Sequence, residues 1–321
     1  MATKKAKKPA GNNAKAPAKT APKVVAARGG NTTVNITEVN ETVIIASPSK
    51  NKADCEPKTL FSGFFKKKHE DEDILTIFKS PRIIGAVLGE IIGTMLLALV
   101  VLVLTRSLEP IYLIFAFLFI TLAVYPISGA HLNPLVTVGM MVTRRVSAIR
   151  GVFYIIAQLI GAMLGWLVIQ CLIGVATSDM VDSTVAAATI QPITENSKLA
   201  GLIAVEAIGA IIYGFAFARA LKYKKSAFTF AALVAAGVFT VVLVGLFLSF
   251  DFFGAPNSIA FNPALAVAME AFMAKDTIVW QVVITYALVP LVGGILGFLL
   301  ADFTSALSGE SCDCSRKDCK C

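Results

Sequence analysis

Two Asn-Pro pairs, Asn133-Pro134 and Asn262-Pro263, and two glutamates set in apolar segments, Glu90 and Glu206, are the residues whose types and spacing carry chemistry in this chain. The chemistry is hydrogen bonding, not bond making. Asparagine at a helix N-cap offers its side-chain oxygen to the first free backbone N–H groups, and proline at the first helical position lacks an N–H that would have had no partner there. The side-chain amide that remains can donate to an oxygen-bearing solute. A lone Asn-Pro is usually a cap or a turn; two at matched positions of a repeat form a paired device. No nucleophile, metal triad or phosphate loop accompanies them, so nothing points to an enzyme or to a cofactor.

The elements that must position these residues follow from composition. Hydrophobic residues make up 56% of the 321, and mean hydropathy is +0.74, more apolar than a soluble core requires. A hydrocarbon layer of about 30 Å needs roughly 20 apolar residues per helix. Six stretches qualify, near residues 82–104, 109–127, 148–174, 199–222, 227–250 and 277–304. Two shorter stretches, near 133–142 and 262–272, each open on an Asn-Pro pair. At about ten residues and about 15 Å they reach half-way across, which predicts two re-entrant half-helices that meet head to head and complete a broken seventh span.

The membrane region is an internal repeat, about 82–174 and 199–304. GAVLGEIIG from Gly85 matches GLIAVEAIG from Gly201, with Glu90 and Glu206 in register. HLNPLVTVGM from His131 matches AFNPALAVAM from Ala260, and QLIGAMLG from Gln158 matches PLVGGILG from Pro290. Three spans per unit force the halves into opposite orientations. The fold predicted is therefore an all-α polytopic membrane protein, with six transmembrane helices and two half-helices in an inverted repeat. Glycines such as Gly93, Gly161, Gly165, Gly209 and Gly297 mark close helix contacts.

The net charge of +8 follows topology, not nucleic acid. Lys66 to Lys68, then Arg144, Arg145 and Arg150, then Arg219, Lys222, Lys224 and Lys225 fall on one side, and the intervening loops are acidic. The positive-inside rule places both termini in the cytosol. Residues 1–72 read as a disordered basic cytosolic tail, either solvated or against anionic lipid, and 73–304 as the channel domain. The Asn-x-Thr sequons at Asn31, Asn35 and Asn40 would be glycosylated only on a luminal tail, against the charge pattern. The tail 305–321 carries Cys312, Cys314, Cys319 and Cys321, which read as idle thiols, with soft-metal binding or palmitoylation as lesser alternatives.

Across about residues 82–304 the chain resembles the major intrinsic protein family of aquaporins and glycerol facilitators. The resemblance rests on SGAHLNP at Ser128 to Pro134, NPA at Asn262 to Ala264, Glu90 with Gly93 and Thr94, AQLIGA at Ala157 to Ala162, and Pro290. It implies one pore per subunit, usually in a homotetramer, for water or a small neutral solute within a lipid bilayer. The half-helix dipoles, an established feature of such pores, then disfavour cations and protons at the centre. It implies structural roles for Glu90 and Glu206, holding the half-helix loops by their backbone, and for His131 and Gln158 as braces. Proton relay and a pH gate are the lesser alternatives.

Two positions depart from the family. The first box carries Leu135 where alanine is usual, and Leu265 stands where an arginine typically narrows the outer constriction. Counting from the boxes puts Leu113, Leu246, Ile259 and Leu265 at that constriction, an aliphatic ring offering no side-chain donors. Ala266 stands where glycerol facilitators have aspartate. The proton barrier then rests on the half-helix dipoles alone. Two other classes share parts of this pattern: a secondary transporter, which needs a coupling-ion site, and a non-conducting membrane scaffold.

Overall fold

The computed structural model describes residues 36–39, 42–45, 81–104, 110–175, 190, 196–253, 259–272 and 279–308. The chain divides into two units, Met1–Pro57 and Lys58–Cys321. In the first, β1 (Ile36–Val39) pairs antiparallel with β2 (Thr42–Ile45), Ile36 opposite Ile45. The sequence reading assigned no element to residues 1–72. Every residue of ITEV and TVII except Glu38 is β-branched, the residue type a short ladder favours. The rest of that tail, with its sequons, and the four cysteines of residues 309–321 lie outside the described residues.

The second unit is helical. It contains α1 (Pro81–Leu104), α2 (Pro110–Ser128), α3 (Pro134–Val142), α4 (Ala148–Val175), α5 (Asn196–Ala220), α6 (Ala227–Phe253), α7 (Pro263–Ala268), α8 (Val279–Val283) and α9 (Val289–Leu307). A π-helical turn, Ile284–Leu288, joins α8 to α9 into one long rod. Pro290 explains that turn. It has no N–H to offer the Tyr286 carbonyl and its ring crowds it, so the ladder re-registers just before it. Among the described residues six helices, counting this rod as one, are long and apolar enough to cross a membrane. Their ends differ from the sequence reading by a few residues. The larger difference is in the short helices: α3 has nine residues and α7 only six, against the ten expected of each.

The repeat is visible in the packing. In the first half α1 packs on α2 and α4; in the second α5 packs on α6 and α9. Each short helix crosses to the other half, α3 against α9 and α7 against α4. The pairing of first and third spans depends on absent side chains. A Cβ on Gly161 would collide with the Ile91 carbonyl oxygen, and one on Gly165 would stand 2.8 Å from that of Met95. In the second half a Cβ on Gly293 would stand 3.0 Å from the Ala207 carbonyl oxygen, and one on Gly297 would collide with that of Ile211. Each contact falls one or five residues beyond Glu90 or Glu206, so the repeat holds at the level of single backbone atoms. Tight packing of this kind replaces the hydrophobic effect, which gives no net drive between helices already in lipid.

Candidate functional site

The site is built where α3 and α7 begin. Asn133 and Asn262 are both extended, with φ −157° and −150°, and act as N-caps. Asn133 Oδ1 accepts from the Leu135 N–H at 2.9 Å; Asn262 Oδ1 accepts from the N–H groups of Ala264 at 3.0 Å and Leu265 at 3.4 Å. Pro134 and Pro263 occupy the first turn, as their missing donors predict. The side-chain amides then cross between the halves. Asn133 donates to the Phe261 carbonyl oxygen at 3.0 Å, and Asn262 to that of Leu132 at 2.9 Å. Each amide group has two hydrogens, and this seam uses one of them.

The residues just before the asparagines are held in a costly conformation. Leu132 and Phe261 have φ of 51° and 52°, the left-handed region that β-carbons disfavour. Two buried glutamates hold these loops. Glu90 accepts from the N–H groups of His131 at 3.0 Å and Leu132 at 2.8 Å. Glu206 accepts from those of Ala260 at 2.6 Å and Phe261 at 3.0 Å. Both carboxylates are fully buried, and both serve the two residues that precede an Asn-Pro box. Backbone donors of this kind are what keep a carboxylate tolerable away from water.

The first half has further braces. Ser128 Oγ donates to Glu90 at 2.5 Å, and Gln158 Nε2 donates to Glu90 at 2.7 Å and to Thr137 Oγ1 at 2.9 Å. His131 Nδ1 lies 3.1 Å from Thr137 Oγ1, and its ring meets Tyr154 and Phe217 edge-on. Pro290 stands in the Gln158 position of the second half and offers Glu206 no side-chain donor from there. Ser128, Thr137 and Phe261 were not singled out from sequence. Phe261 had a usable signal in the small residues around it, since its ring fills the space a Cβ would need at Gly209 and at Gly245.

Both short helices end in a Schellman turn, with a non-glycine residue in the left-handed position: Arg144 at φ 55° and Glu270 at φ 60°. Matched positions of the long helices anchor them with opposite polarity. Arg145 pairs with Asp302 and lies over the Phe298 ring at 5.6 Å; Glu270 accepts from Trp166 at 2.6 Å and from Gln170 at 3.1 Å.

Of the four residues placed at the constriction, Ile259 and Leu265 are buried in the apolar core and Leu246 packs against it. Leu113 is half-buried on α2, whose Ile114 and Leu118 pack against that core. Leu135, in place of the usual alanine, is completely buried, and its side chain occupies the space a Cβ would take at Gly294.

Comparison with known proteins agrees with this geometry. The chain is 28% identical over 180 residues to aquaporin-1 of Mus musculus, covering 56% of this chain and 61% of that one. It is 28% identical over 170 residues to aquaporin-4 of Bos taurus, covering 53% and 47%. The match thus spans about half to three-fifths of these relatives. In fold it is similar to the X-ray structure of the aquaglyceroporin from Plasmodium falciparum, with a TM-score of 0.52 at 19% identity, over 70% of this chain and 96% of that one. The family profile described as Major intrinsic protein matches residues 77–301. With six apolar helices, two crossed Asn-Pro boxes and that match over most of its length, this integral, multi-pass membrane chain belongs to the major intrinsic protein family.

Proposed function

We propose that the chain is a passive channel for water or a small uncharged solute, driven only by the solute's gradient. One observation carries the reading: two proline-started short helices from opposite halves begin at a common seam, and each capping asparagine, its Oδ1 taken by the cap and one amide hydrogen by the crossing bond, keeps a second side-chain N–H. Those N–H groups serve a permeant oxygen, and the positive dipole ends repel cations at the same point. In this reading α3 and α7 are re-entrant, Glu90, Glu206, His131 and Gln158 hold the loops, and both termini are cytosolic. Lipid covers the outward stripes, such as Ile84, Leu88 and Ile92 on α1, except where subunits of a homotetramer meet.

In the same reading Leu113, Leu246, Ile259 and Leu265 narrow one mouth with aliphatic groups. A permeant there loses hydrogen bonds, and water loses more of them than a less polar solute does. Stopped-flow light scattering on proteoliposomes shocked with glycerol tests the proposal. Accelerated shrinkage means water conduction and accelerated re-swelling means solute conduction. Rates equal to those of empty liposomes for both would overturn it in favour of a closed scaffold.

A further inference from the structure

We infer that Tyr213 is a specificity residue of the conduction path, its hydroxyl being a hydrogen-bond partner of the permeant. The inference rests on the channel reading above.

Tyr213 lies on α5, seven residues beyond Glu206, and is 4% exposed. Its hydroxyl is buried and has no hydrogen-bond partner among the described residues. Buried tyrosine hydroxyls normally find one, because an unmet donor keeps its full desolvation penalty. The ring is well packed, edge-on against Phe117 of α2 at 6.5 Å and against Phe217 of α5 at 6.5 Å. Phe217 in turn meets His131, in the loop that leads into Asn133. Tyr213 is thus two ring contacts away from the loop that leads into Asn133.

Three further buried hydroxyls share this property among the described residues. Thr121 follows Phe117 by one turn on α2, Thr94 follows Glu90 by one turn on α1, and Thr285 lies in the π-helical turn before α9. Other helical threonines bond back to a carbonyl, as Thr240 does to Ala236 at 2.9 Å. Unmet hydroxyls on α1, α2 and α5, together with two asparagines that each keep a donor, make a consistent set if a mobile, oxygen-bearing molecule passes among them. Tyr213 and Thr121 supply the polar contacts that the aliphatic mouth around Leu265 lacks. Their chemistry fits water, urea or a short polyol, which both donate and accept.

The test is Tyr213→Phe, which removes one oxygen and keeps the ring, read in proteoliposomes as permeability to water, urea and glycerol. The expected result is a change of threefold or more in the glycerol-to-water or urea-to-water ratio, at unchanged melting temperature. Thr121→Val should move the ratio in the same direction. Unchanged ratios in both variants, beside a conducting parent, would overturn the inference and leave the channel reading standing. A parent that conducts none of the three overturns both.

Discussion

The side-chain amide of Asn262 donates to the carbonyl oxygen of Leu132 at 2.9 Å, across 130 residues of sequence, and Asn133 returns the same bond to Phe261. The two boxes are therefore tied to each other as well as to their own helices. Asn262→Ala removes the cap and the crossing bond together. A cap is worth about 1 kcal/mol and a buried unmet acceptor costs about 1–3 kcal/mol. The variant should melt several degrees lower in detergent and lose most of its permeability. Normal conduction by a correctly folded Asn262→Ala would remove the asparagine from the mechanism.

Glu206 accepts from the backbone N–H groups of Ala260 and Phe261, and Glu90 accepts from Ser128 and Gln158 in addition to its backbone donors. Glu206→Gln turns one accepting oxygen into a donor facing the N–H of Ala260 or Phe261. A charge-assisted bond of this type is worth about 1.5–3 kcal/mol. Glu206→Gln should therefore lower thermal stability and the yield of folded protein. A thermal shift within error of the parent would show that the carboxylate is not what holds the loop.

Gly297 and Gly85 separate close approach from helix propensity. A methyl on Gly297 meets the Ile211 carbonyl, while one on Gly85 meets nothing within 4 Å. Overpacking costs about 1–3 kcal/mol. Gly297→Ala should lower the melting temperature by several degrees and Gly85→Ala should leave it level or slightly higher. The reverse order in a melting assay would contradict the packing described here.

If Leu265 lies at the mouth as proposed, the mouth has no fixed cation there and the barrier to protons rests on the dipoles of α3 and α7. Proteoliposomes given a pH step should show no proton flux above empty liposomes. A flux that Leu265→Arg abolishes would show that six residues of α7 are too short a dipole to do this alone.

The sequence by itself determined the six spans, the repeat, the caps and the pairing of Glu90 with Glu206 by register. These rest on local physics: apolar length against bilayer thickness, the missing N–H of proline, and the reach of an asparagine side chain to its own helix. Only the tertiary structure decided which carbonyl each asparagine amide would meet, and that α7 stops at Ala268, short of its twin. It also decided that α2 packs Ile114 and Leu118 against the core, and that the Tyr213 hydroxyl has no partner among the described residues. Each of those depends on distances between residues remote in the chain. Such distances are set by how closely helices pack at Gly161 and Gly293, which no local rule of the sequence encodes.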